Sequence, residues 1–260
     1  VGRALLFVCI VACSFRHGVQ QQDGVAHDGV TYDDALPDAY RAAPSIYGTD
    51  STNLYTLDIG ARQITSVGAL HDSNNQPVPN GVDSIAWVDG ELIAVGWTAS
   101  PQSVGTIDPA TALVTFKPPL PAVHTYWGLT YDPTTRTVFA ATNDTASLYR
   151  VDVASGTTSL IGPFGGGMAI YGDITWLDGV LYGTMTSGPC NPGCIATIDP
   201  GTGAATVITM TAPGALPALA AFGGALYAIS GTGDVYSVNT RTGATNLLFN
   251  CGKDLGDAAP

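Results

Sequence analysis

The sequence predicts an all-β chain folded as a β-propeller of about five four-stranded blades, and three observations carry that expectation. A unit of roughly 45 residues repeats, its marker aromatics Trp87, Tyr131, Trp176 and Phe222 falling 44, 45 and 46 residues apart. Short apolar runs with tight-turn residues between them fill each unit, and Asp-Gly between apolar runs is a strong hairpin signal. Charged residues are only 12% of the chain while Gly supplies 32 of 260 residues, which suits many short strands and turns. A hydrophobic content of 45% supplies a core and argues against disorder for the main body.

One half of the unit is a strand ending in an acid or amide and a turn. It appears as Leu54–Asp58, Val104–Asp108, Leu148–Asp152, Ile195–Asp199 and Val235–Asn239. Turns such as Pro200-Gly201-Thr202-Gly203 then lead to strands such as Thr206–Thr209. Asp and Asn bond their own turn backbone and Gly supplies a positive φ, so this half reads as a hairpin. The other half is a strand ending in the marker aromatic, a turn such as Asp89-Gly90 or Asp178-Gly179, and a second strand such as Leu92–Val95 or Leu181–Thr184. Four antiparallel strands at this period indicate a propeller. The marker aromatics then read as blade-to-blade packing, with a ligand cage as the alternative.

The first unit lacks its opening strand and begins with Ser45-Ile46-Tyr47-Gly48, while Gly256-Asp257-Ala258-Ala259 resembles the opening strand Gly172-Asp173-Ile174-Thr175. The carboxyl-terminal strand is therefore expected to complete blade one and close the ring, with six blades as the alternative count. The string Leu148-Tyr149-Arg150-Val151-Asp152 through Gly156, with Leu181-Tyr182-Gly183, resembles the exported repeat propellers of Gram-negative bacteria, including myxobacterial lipoproteins. These are distantly similar to NHL, YVTN and WD-type propellers. The resemblance covers residues 44 to 260 and implies architecture; it names no activity.

The expected organisation is a signal peptide at 1–12, a lipidated cysteine and disordered acidic tether at 13–43, and the propeller at 44–260. Arg3 followed by the apolar run Ala4–Ala12 reads as an export signal too short to span a bilayer. Ile10-Val11-Ala12-Cys13-Ser14 resembles a bacterial lipobox, which implies cleavage before Cys13, its acylation, and an outer-membrane destination given Ser14. A plain signal peptide, giving a soluble secreted protein, is the alternative. Cys190 and Cys194 bracket the turn Asn191-Pro192-Gly193 and read as a disulfide, since a metal reading needs two further soft ligands. Cys251 is left over.

For chemistry the sequence offers little. Acids outnumber Lys and Arg by 21 to 9, which disfavours nucleic acid and a polybasic membrane surface. The aligned starts of the inner strands are Ser84, Gly128, Asp173 and Leu219, and one acid among them makes no catalytic ring. Asp83, Asp173 and Asp257 are placed to approach the channel mouth, where a weak cation site is the alternative to a structural role. No catalytic residue, metal site or cofactor is expected. The loops between blades carry His124, Tyr126, Trp127, Met168 and Tyr171, a candidate binding face; the alternative is that these aromatics fold inward. The expected function is a monomeric, non-catalytic envelope lipoprotein that binds a protein or glycan in the outer membrane or periplasm. A hydrolase or lyase acting on a sugar or lactone at the channel mouth is the rival.

Overall fold

The computed structural model describes residues 45–96, 101–121, 124–211, 214 and 216–260. The expectations placed on residues 1–43, including Cys13, lie outside the described residues. Twenty strands form five four-stranded antiparallel sheets, and the sheets are the five blades. Blade two holds β4 (Val82–Val88), β5 (Glu91–Gly96), β6 (Ser103–Ile107) and β7 (Val114–Pro119). Blade three holds β8 (Tyr126–Asp132), β9 (Thr137–Thr142), β10 (Ser147–Asp152) and β11 (Thr157–Pro163). Blade four holds β12 (Ala169–Leu177), β13 (Val180–Thr186), β14 (Cys194–Ile198) and β15 (Ala205–Met210). Blade five holds β16 (Ala218–Phe222), β17 (Ala225–Ile229), β18 (Asp234–Val238) and β19 (Thr245–Asn250).

Blade one is composite. Its β1 (Ile46–Thr49), β2 (Asn53–Asp58) and β3 (Gln63–Ala69) come from the start of the domain, and β20 (Asp257–Ala259) is its inner strand. Thr49 pairs with Asp257 and Tyr47 with Ala259, so the ring closes as the repeat pattern predicts. Closure leaves no blade gap open to edge pairing at the seam.

The core is divided among the gaps between blades. Side chains alternate along each strand, so successive residues enter opposite gaps. On β9, Val138 and Ala140 pack towards blade two while Phe139 and Ala141 pack towards blade four. Five apolar clusters result, one for each neighbouring pair. The marker aromatics sit in these gaps: Trp87 stacks on Tyr47 at 5.6 Å, and Trp176 on Phe139 at 5.9 Å. They are packing residues, as expected.

Two repeated backbone devices were not evident in the sequence. The register shifts once along the outer strand of every blade, for example between Tyr55 and Leu54 and between Tyr236 and Val235. A bulge of this kind twists the exposed edge away from a further strand. The residue after each outer strand also donates its amide to the residue just before the third strand. Leu70 bonds Thr52, Leu120 bonds Gln102, Phe164 bonds Ala146, Thr211 bonds Gly193 and Cys251 bonds Gly233, at 2.8–3.0 Å. Cys251 thus occupies the fifth copy of a position that caps the blade. Cys190 and Cys194 form the expected disulfide, with Cα atoms 5.0 Å apart, and both are buried in the gap between blades three and four.

Candidate binding face and the channel beneath it

The inner strands start at the face where the inter-blade loops emerge. Of the five sequence-predicted residues there, Trp127 and Tyr171 are exposed, at 38% and 39%. Tyr126 is fully buried and Met168 nearly so. These two are therefore removed from the accessible face and hold the loops from below. The pairing of β8 with β9 shifts register between Tyr126 and Gly128, so Trp127 has no partner on β9 and faces water while Tyr126 is buried. Phe164 and Leu216 of the same loops are buried as well.

His124 is pinned rather than free. One ring nitrogen lies 3.1 Å from Asp144 and the other 2.9 Å from the Tyr149 hydroxyl. Its ring also packs edge-on to Tyr126, 6.2 Å between centroids. The chain Asp144–His124–Tyr149 fixes the loop that delivers Trp127.

Gln102 was not singled out by sequence reasoning, yet it organises the mouth. Buried between blades two and three, its carbonyl accepts the Tyr126 amide at 2.8 Å. Its NH2 donates to the Tyr126 carbonyl at 3.1 Å and to Asp83 at 2.7 Å. A single amide side chain satisfies a buried stretch of inner-strand edge and bonds a carboxylate.

Below the mouth, the innermost strands turn unpaired amides towards the ring axis, and buried amides require partners. Asp173 supplies three. Its Oδ1 accepts Ile174 at 2.7 Å, and its Oδ2 accepts Leu219 of blade five at 3.2 Å and Ala258 of blade one at 3.4 Å. Asp257 accepts the Ile85 amide of blade two at 3.1 Å, and Thr130 of blade three accepts the Trp176 amide at 2.9 Å. The channel polar groups thus lace inner strands of all five blades together. Gly128 fits here because a Cβ would stand 2.9 Å from the Ile174 nitrogen.

Asp173 and Asp257 are completely buried. Burial raises the Asp173 carboxyl well above its usual range and the charge of Asp257 adds to this; its three amide bonds pull the other way. Burial likewise pushes Asp257 well up, with Asp83 adding to it. Among the described residues no cluster of three or more His, Cys, Asp or Glu side chains is placed to hold a metal ion. Of the three channel acids, Asp173 and Asp257 accept backbone amides and Asp83 accepts the side-chain NH2 of Gln102.

At the opposite end, a groove of about 610 Å³ between blades two and three is lined by Asp89, Tyr131, Arg136, Arg150 and Thr158. On its wall Asp89 accepts the Tyr131 hydroxyl at 2.6 Å and pairs with Arg136 at 2.5 Å. No described helix is long and apolar enough to cross a membrane.

Comparison with solved structures confirms the architecture. A chain of a nidogen/laminin complex superposes with a TM-score of 0.53 at 12% identity, covering 83% of this chain and 97% of that one. TolB from Acinetobacter baumannii gives 0.52 at 15% identity, covering 84% of this chain and 55% of TolB. A structural genomics protein of unknown function from Bacteroides thetaiotaomicron VPI-5482 gives 0.54 at 13% identity, covering 79% of this chain and 55% of that one. At these identities the likeness is one of fold. Among curated proteins, no sequence matches. Residues 81–250 match the family described as "Repeat of unknown function (DUF6923)". That match takes in β4 to β19 whole, and the chain belongs to the DUF6923 repeat family.

Proposed function

We propose that the chain is a non-catalytic binding or scaffold propeller of the bacterial envelope, docking a protein or glycan on the mouth face. The observation that carries this reading is the placement of Trp127 and Tyr171. Among the described residues they are the two aromatics of the exposed large apolar side chains, and they stand on inner strands of adjacent blades. Trp and Tyr give large contact area at low conformational cost. Each is held by rigid structure below: Trp127 by Gln102 and the His124 chain, and Tyr171 by Ile170, whose carbonyl accepts the Asn143 amide at 2.6 Å. The similar chain in a nidogen/laminin complex supports a protein partner as one form of this role.

Export and anchoring complete the proposal. The Cys190–Cys194 disulfide suits an oxidising compartment, and acylation of Cys13 would hold the propeller at a membrane. Two experiments test the reading. Tagged protein is used to capture partners from detergent-solubilised envelopes and to probe a glycan array, beside a Trp127→Ala/Tyr171→Ala variant. A Leu160→Ala/Leu247→Ala variant on the blade rim is the control. The expected result is a ligand retained by the rim variant and weakened at least about tenfold by the mouth variant. Equal binding by all three proteins rejects the mouth face. Fatty-acid labelling lost on Cys13→Ser supports the anchor, and unchanged labelling rejects it.

A further inference from the structure

We propose that Asp173 and Asp257 share one proton carried on Asp257 Oδ2, forming an acid–carboxylate clasp that fastens β20 and closes the ring. The two side chains come from blades on different parts of the chain, and the Ala258 amide beside Asp257 donates to Asp173 Oδ2 at 3.4 Å. Both side chains are wholly buried, and no described Lys, Arg or His is bonded or ion-paired to either. Two ionised carboxylates in such a place repel each other and lose their hydration, so one of them takes a proton.

Hydrogen bonding decides which one. Asp173 accepts three amides through both oxygens, a pattern that stabilises the ionised form. Asp257 accepts one, through Oδ1, and its Oδ2 is buried without a partner. A proton on Oδ2 turns that orphan acceptor into a donor. The buried Ser84 hydroxyl, next in sequence to the Ile85 amide that Asp257 receives, lies beside the Asp257 carboxyl. The remaining inner strands present Gly128 on β8 and Leu219 on β16 at this level, and β4 adds the carboxylate of Asp83. Asp83 is a further negative charge that favours the protonated pair. Burial raises both carboxyls, which favours a proton on the pair.

The sign of the pH dependence follows. A carboxyl whose folded pKa is raised stabilises the fold fully below its unfolded value, and that contribution is lost as pH rises through the folded pKa. The clasp therefore holds in acid and loosens in alkali.

The test is thermal unfolding of the full chain between about pH 5 and pH 9, for wild type, Asp257→Asn and Asp173→Asn. Asn at 257 mimics the protonated acid, keeping an acceptor for Ile85 and a donor for Asp173. Asn at 173 turns its NH2 against amides that need an acceptor. The expected result is a wild-type Tm that falls by roughly 5 °C or more across the range relative to Asp257→Asn. Asp173→Asn melts below wild type at about pH 5. Parallel slopes for wild type and Asp257→Asn, or equal destabilisation by the two variants at about pH 5, overturn the proposal. Should a variant fail to fold, the infrared spectrum of wild type decides: a protonated carboxyl band at neutral pH supports the clasp, and its absence overturns it.

Discussion

The same residue, aspartate, does opposite work at the tips of the blades and at their centre. At the tips, Asp152 ends the third strand of its blade and Asp108 and Asp199 directly follow theirs, and each accepts an amide of the following turn at 2.8–2.9 Å, in water. Those bonds hold Asp108 and Asp199 below the usual range, and the Ser155 hydroxyl together with the turn amides does the same for Asp152. At the centre, Asp173 and Asp257 accept amides from neighbouring blades, and burial drives them the other way. Amide acceptance is common to both sets, so solvation sets the sign. The tips order local hairpins, and the centre joins parts of the chain up to 172 residues apart. The two sets oppose each other in pH. Tip aspartates stabilise the fold above their unfolded pKa and lose that contribution as pH falls below about 4, whereas the central pair loses its contribution as pH rises.

Substitutions sharpen this contrast, beginning with the largest effect. Gly172→Ala places a Cβ 2.1 Å from the Pro217 carbonyl oxygen, where the inner strands of blades four and five meet backbone to backbone. It is expected to cost about 3 kcal/mol in denaturant unfolding. Gly179→Ala, at a tip, meets no atom within 4 Å but holds φ at +82°, and the expected cost is about 1 kcal/mol. Equal costs would show that the centre tolerates movement as the tips do.

The next effect has the opposite sign. The turn position filled by Gly156, Gly203 and Gly243 in three blades is Arg62 in blade one, with φ at +56°. Arg62→Gly relieves an exposed left-handed residue and is expected to raise stability by about 0.5 kcal/mol. A loss would mean that the Arg62 side chain contributes contacts that outweigh its backbone cost. Asp199→Ala should produce the smallest change, a slight Tm loss that shrinks as pH falls below about 4. A loss that persists undiminished in acid would separate the turn from its charge.

Much of the ring could be read from the chain because its information is local. Asp89-Gly90 and Asp178-Gly179 mark hairpins within a few residues, and the marker aromatics repeat at blade spacing. Even the closing strand left a trace, since Gly256-Asp257 echoes Gly172-Asp173. That echo was also the available sign of the central pair, but treating the inner-strand starts as four positions left out the fifth, Asp257. The functional face was less legible. Tyr126 and Trp127 are adjacent aromatics followed by Gly128, and the register shift against β9 that leaves Trp127 unpaired and in water exists only once the strands have paired. Gln102 was hidden for a related reason: its partners Asp83 and Tyr126 lie 19 and 24 residues away, on two different blades.

The most direct test of the contrast between tips and centre is a carboxyl-carbon NMR titration of the aspartates in the folded protein. The account predicts that Asp108, Asp152 and Asp199 titrate below the usual aspartate value, while Asp257 keeps its proton well above it. An Asp257 that titrates alongside the tip aspartates would contradict the account.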